Sequence, residues 1–246
     1  MQDIDIITRN FFKLMRSGAF LEVVTLEHMS AYKWSRLMDI VVQQDVVSVV
    51  AKAIKNMQFD LALNMPNAMR DKVREMAKTR TTKVVNIEMK NSILKKKLAQ
   101  IHAAEKKASD YSEATLKLFD YIIANCQVVL SKGTSTLLVI KLGTCIRTSK
   151  DNVDYAKIER WLGEMHMTRV AGLVGSVLID NFAFKPEEVP FVRKVDPKAA
   201  LVMMQAVMKR RKQKHNAGIT YFEYAPLENT SILLGRLKAR LEAIDE

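Results

Sequence analysis

The stretch Ser131-Lys132-Gly133-Thr134-Ser135 brings small, basic and hydroxyl residues together. Where such a turn opens a helix, free backbone N–H groups and the positive end of the helix dipole can hold an anion such as phosphate. The Lys132 ammonium and the hydroxyls would be further donors. The same residues also make an ordinary junction, in which Gly133 ends one helix and Thr134 caps and begins the next. Two clusters of cations suggest a second chemistry. Lys95, Lys96 and Lys97 form one, and Lys209, Arg210, Arg211, Lys212 and Lys214 form the other. Both could contact nucleic-acid phosphates. Neither interleaves the aromatic side chains on which bases stack, so any such binding is expected to ignore sequence. The second cluster also suits the C-terminal end of a helix, where cations complement the dipole.

Other chemistry is hard to assemble. The chain has no Gly-rich dinucleotide loop, no phosphate loop, no paired cysteines and no zinc-spaced histidine pair. His28, His102, His166 and His215 stand apart from one another and read as structural or solvent-facing side chains. Cys126 and Cys145 are embedded in apolar helical pattern and read as reduced core thiols. No catalytic, cofactor-binding or metal-ligating residue is assigned, and no cofactor is expected.

The elements that must position these groups read as helices. The chain has 246 residues, 48% of them hydrophobic, with only eight Gly and five Pro. Antiparallel β folds need many turn residues, so this scarcity predicts an all-α protein, a multi-helix bundle of about nine or ten helices. One helical domain over residues 1–246 is expected, with a subdivision into 1–65 and 66–246. Ile4, Ile7, Phe11, Leu14 and Met15 share one helical face, and Gly18 is placed to end that helix. Ser30 caps the next. The Val-rich run through Val49, Val50, Ala53 and Ile54 follows a helical stripe and is assigned to a helix. Residues 67–108 contain no Gly and no Pro, which predicts one long central helix with a heptad seam whose polar members are Arg80 and Asn91. Gly133 ends a later helix. Asp196-Pro197 is a cap followed by proline in the first turn, and it starts another. Residues 218–225 read as a short extended arm. After Pro226 a last amphipathic helix presents Ile232, Leu233, Leu237 and Leu241.

The net charge is +12, from 39 Lys and Arg against 27 Asp and Glu. A surplus of that size favours polyanions, or serves to keep a surface well solvated. The acidic opening Met1-Gln2-Asp3-Ile4-Asp5 does not resemble an export signal, which begins basic and then turns apolar. The most apolar stretch, residues 136–146, is interrupted by Lys141 and is too short to span a bilayer. A cytoplasmic location without membrane insertion is expected.

Two windows carry a resemblance. The first is Phe11-Phe12-Lys13-Leu14-Met15-Arg16-Ser17-Gly18, followed by Trp34 and by Gln43-Gln44-Asp45-Val46-Val47-Ser48-Val49-Val50. The second is Val153-Asp154-Tyr155-Ala156-Lys157-Ile158-Glu159-Arg160-Trp161-Leu162, continuing through Thr168-Arg169-Val170-Ala171 to Pro186-Glu187-Glu188-Val189-Pro190-Phe191. Together they resemble the helical regions of the bacterial nucleotidyltransferase-like family. That resemblance implies a small catalytic core with a Gly-Ser turn after a strand and two nearby carboxylates for Mg²⁺. The corresponding middle of this chain, residues 106–147, reads as two helices with no Asp-x-Asp pair. Gly175-Ser176 and Asp180 look superficially similar to the motif, but they fall within a helical pattern and Asp180 is followed by Asn181. The resemblance therefore implies a relative without its catalytic core, a pseudoenzyme that acts by binding a protein partner. Two alternatives stay open: a non-specific nucleic-acid-binding module built on the basic helices, and a nucleotide-binding or nucleotidyltransferase enzyme whose site is not recognised. Self-association is compatible with each.

Overall fold

A computed structural model describes residues 5–57, 63–79, 88–149, 152–208 and 222–242. The described residues form eleven α-helices and two short 3-10 turns, with no strand, so the protein is all-α. The chain divides into two compact units, Met1–Val84 with Val207–Arg210, and Val85–Ala206 with Arg211–Glu246.

The first unit contains α1 (Ile6–Phe20), α2 (Ala31–Gln43), α3 (Val47–Asn56) and α4 (Asn67–Thr79). Asp5 starts α1 by accepting hydrogen bonds from the backbone N–H groups of Ile7 and Thr8 at 2.9 and 3.1 Å. Helix α1 does not stop at Gly18. It runs on to Phe20 and is ended by Leu21 in the left-handed region, with φ of 59°. Gly18 has a packing role instead: a Cβ there would lie 2.0 Å from the Val49 carbonyl oxygen, so α1 and α3 touch backbone to backbone. Phe11, Leu14, Met15, Val50, Ala53 and Ile54 are buried around this contact. The Val-rich run is helical, as its spacing predicts, and Ser30 caps α2.

Residues between α1 and α2 have no regular structure and are tied down by Glu27. Its carboxylate accepts from Arg9 Nη2 at 2.6 Å, Arg9 Nε at 2.9 Å and Lys13 Nζ at 3.1 Å. Asn10 closes the clamp by bonding both the backbone N–H and the carbonyl of Glu27. The Arg9 and Lys13 bonds hold the Glu27 carboxyl well below its ordinary value of 4.5, at about 2. A carboxyl whose pKa is depressed in the folded state stabilises above its unfolded pKa, and that contribution disappears as pH falls through the folded value. Glu27→Gln should therefore lower the urea midpoint at pH 7, and the gap to the parent chain should narrow below about pH 4.5 and close near pH 2. A gap that stays constant across that range would assign the effect to packing.

The second unit is built around α6 (Glu113–Lys132), the longest helix. Leu118, Phe119, Ile122, Ile123 and Cys126 of α6 are completely buried. Phe119 meets Trp161 of α8 (Tyr155–Glu164) edge to face at 5.2 Å. Helices α5 (Ser92–Glu105), α7 (Thr136–Thr148) and α9 (Thr168–Phe182) complete this part of the unit. Lys157 of α8 is buried, with Nζ at 2.9 and 3.0 Å from the two Glu105 carboxylate oxygens and 2.9 Å from the Asp110 carbonyl. The Glu105 carboxylate raises the Lys157 pKa, so the ammonium stays charged inside the unit. Both cysteines are free, and burial pushes both thiols up, which keeps them protonated and unreactive. Helix α10 (Pro197–Met208) begins at the expected proline, and α11 (Pro226–Glu242) follows a 3-10 turn at Phe222–Tyr224.

Three expectations are corrected. The long central helix is two helices: α4 ends at Thr79, and α5 starts afresh behind Asn91, whose side chain accepts from the N–H groups of Ile93 and Leu94. Splitting it accounts for the eleventh helix. Asn91, a polar member of the proposed seam, is a helix cap, which is the commoner role for that side chain. Of the described part of the extended arm, residues 222–225, Phe222–Tyr224 is a 3-10 turn and Ala225 a buried bend. Residues 218–221 lie outside the described residues. Among the described residues no helix is long and apolar enough to cross a membrane.

Candidate functional site

Helix α11 is held by one face. Glu228 has no exposed surface, and its carboxylate gathers three donors: Oε1 accepts from the Lys90 N–H at 2.7 Å and Gln127 Nε2 at 2.9 Å, and Oε2 accepts from the Asn91 N–H at 2.9 Å. Asn91 Nδ2 reaches back to Ser231 Oγ at 3.0 Å. Ile232 is buried one turn further on, and Arg236 donates to the Ser131 carbonyl at the end of α6. Glu228, Ile232 and Arg236 follow one another at intervals of four residues and so share one side of the helix.

The opposite side is open. Leu227, Leu234, Leu237 and Leu241 are 45%, 60%, 55% and 55% exposed. At roughly 100° per residue these four lie within one narrow stripe, facing away from the packed set. The sequence had grouped Ile232 and Leu233 with Leu237 and Leu241 as one apolar face. In the structure Ile232 turns inward and Leu233 is half-buried at the side, whereas Leu227 and Leu234 complete the outer stripe. A row of exposed leucines opposite a packed face is not needed for folding, and such patches mark interaction sites.

Beside the start of the stripe lies a cleft of about 570 Å³ between the α8–α9 junction and the turn into α11. His166, Thr168 and Arg169 form one wall, and Glu223, Tyr224, Pro226 and Leu227 the other. The Arg169 guanidinium sits 5.1 Å from the centre of the Tyr224 ring and donates to the Glu223 carbonyl at 2.8 Å. Tyr224 donates to Asp196 Oδ2 at 3.4 Å, and burial, with the Asp196 charge added, pushes its hydroxyl pKa up. Leu227 belongs to both the cleft and the leucine row, so the two form one continuous surface.

The residues singled out from sequence fall as follows. Ser131 Oγ donates to the Gln127 carbonyl, and Lys132 is the exposed last residue of α6. Gly133 ends α6 with φ of 87°, a conformation other residues seldom adopt. Ser135 Oγ accepts from the Leu138 N–H and caps α7, while Thr134 Oγ1 is buried without a hydrogen-bond partner. The cap is thus Ser135 rather than Thr134, and α7 starts at Thr136. Lys95 and Lys96 are exposed on α5, but Lys97 Nζ lies 2.8 Å from the Glu164 carboxylate. Lys209, Arg210, Arg211, Lys212 and Lys214 lie outside the described residues, as does His215. Gly175, Ser176 and Asp180 are in α9, and Ser176 is spent inside the fold, donating to the Gly172 carbonyl and accepting from the Asp196 N–H. His102 is bonded to Asp120 at 2.8 Å, a pair on two helices that sequence spacing could not reveal. Burial raises the Asp120 pKa, and the nearby His102 opposes that shift. Among the described residues no group of three or more His, Cys, Asp or Glu is placed to hold a metal ion.

Neither the protein-family models, nor the curated proteins, nor the solved structures contain a match to this chain.

Proposed function

We propose that this chain is a non-catalytic helical protein that works by binding a protein partner, with the outer face of α11 as the docking surface. One observation carries the reading: four leucines stand in a row on the side of α11 opposite its packed face. A helix that needed only to cover its own unit would carry polar residues there. Helix-in-groove recognition uses this pattern of apolar anchors at spacings of three, four and seven residues.

The expected result concerns the position of contact. A photo-crosslinking residue placed at Leu237, in the cells that make the protein, should give a discrete heavier adduct. The same residue at Val23, which is fully exposed on the first unit, should give none. Changing Leu234 and Leu241 to Ser should remove the adduct. Equal labelling from both positions would rule the face out.

The resemblance to the nucleotidyltransferase-like family fits this reading as a relative that has lost its core. The enzyme alternative rests on the segment at residues 131–135, where Ser131 and Ser135 already serve the helices beside them. Calorimetry with Mg·ATP should therefore show no saturable heat. Saturable Mg²⁺-dependent binding that disappears in Lys132→Ala would replace the present reading with a nucleotide-binding one. The nucleic-acid alternative ranks lower because Lys97 is engaged by Glu164.

A further inference from the structure

We infer that the outer face of α11 receives an amphipathic helix of a partner protein, apolar along one stripe and acidic on its flanks. The inference rests on the reading of α11 as the docking face and adds the chemistry of what docks there. From Leu227 to Leu241 the row runs roughly 21 Å, at 1.5 Å per residue, which is the length of about four helical turns. Leu227, Leu234 and Leu241 are seven apart and take the a positions of a heptad seam; Leu237 takes the second d position, and the exposed Thr230 the first. In that register the flanking positions of the second heptad are Lys238 and Arg240, both exposed. Among the described residues the sole acid on the distal half is Glu242, which lies 3.8 Å from Lys238 but is itself 67% exposed. At the other end of the row, Arg169 stands in the cleft beside Leu227.

Flanking charges choose the partner of such a seam, because like charges across it repel and opposite charges attract. A second copy of this chain paired in parallel would bring the same Lys238 and Arg240 to the same seam and be disfavoured. A helix with Glu or Asp at its flanks would pair with both cations. Leucines along its centre would cover the row.

Two synthetic three-heptad peptides test this with the full-length chain. Both carry Leu at the a and d positions; one has Glu and the other Lys at the flanks. By fluorescence anisotropy the Glu peptide should bind and the Lys peptide should not. The binding should weaken between about 0.05 and 0.5 M salt, as exposed charge pairs are screened. Changing Leu234, Leu237 and Leu241 to Ser should weaken it by at least tenfold, since each buried leucine contributes a large part of one decade or more. These side chains are mostly exposed, so the helical circular dichroism of the variant should match the parent and exclude misfolding. Equal binding of both peptides would overturn the inference, because charge would then not select the partner. If neither peptide binds, but the chain self-associates in sedimentation or adheres to phosphatidylglycerol vesicles, and the Ser changes abolish this, the acidic helix is wrong while α11 remains the docking face. If nothing binds in any arm, both readings fall.

Discussion

Glu228→Gln is expected to lower the unfolding free energy by about 3 kcal/mol, from the loss of satisfied buried hydrogen bonds. The carboxylate offers two acceptor oxygens to three donors, the Lys90 and Asn91 N–H groups and Gln127 Nε2. A glutamine keeps one acceptor. With its oxygen in place for Lys90 and Gln127, its own NH₂ points at the Asn91 N–H, donor against donor. Two groups withdrawn from water are then left without a partner, at roughly 1–3 kcal/mol each. Urea denaturation followed by circular dichroism should record a lower midpoint. Hydrogen exchange at the Lys90 and Asn91 amides should accelerate more than exchange within α3, a helix of the first unit. An unchanged midpoint would mean that α11 is held by Ile232 and Arg236 without this carboxylate.

Gly18→Ala is expected to be as damaging, for a steric reason. The added methyl would sit 2.0 Å from the Val49 carbonyl oxygen and 2.9 Å from its carbon. Those are backbone atoms of α3, so no rotamer change can relieve the clash and one helix must move. Overpacking of a core costs about 1–3 kcal/mol where side chains can yield, and the upper end or more is expected here. Gly172 in α9 makes the control. Nothing lies within 4 Å of a Cβ at Gly172, so alanine there should gain up to about 1 kcal/mol of helix propensity. Opposite signs from the same substitution in two helices would separate packing from propensity; a stabilised Gly18→Ala chain would disprove the close approach.

These positions also indicate what could be read from the chain. Helix identity was legible, because local periodicity and capping decide it: Ser30 caps α2, Gly133 ends α6 and Pro197 opens α10. The Val-rich run followed helical spacing and became α3, against the β propensity of valine. Long-range facts were not legible. Gly18 looked like a helix terminator, since Gly is common there, and its partner Val49 is on another helix. Asn91 looked like a flaw in a seam because the carboxylate that holds its N–H lies far along the chain. In α11 the periodicity was visible, but not which leucines face inward. That choice is made by Glu228, a polar residue that hydropathy assigns to solvent. The cleft is assembled from the α8–α9 junction and the turn into α11, so no spacing in the chain announces it.

The Glu228 bond to Asn91 spans 137 positions. A ribosome adding ~5–20 residues per second needs roughly 7–27 s to cover that distance. Throughout that interval the start of α5 has its own Asn91 cap but lacks the carboxylate that binds the Lys90 and Asn91 amides. Chains halted before α11 emerges would carry the Lys90 and Asn91 amides without the Glu228 carboxylate, exposing a defect that quality-control proteases can recognise. Closure by Glu228 thus makes completion of α11 a condition for the finished second unit, and nascent chains should pass abruptly from protease-sensitive to protease-resistant once that helix clears the exit tunnel.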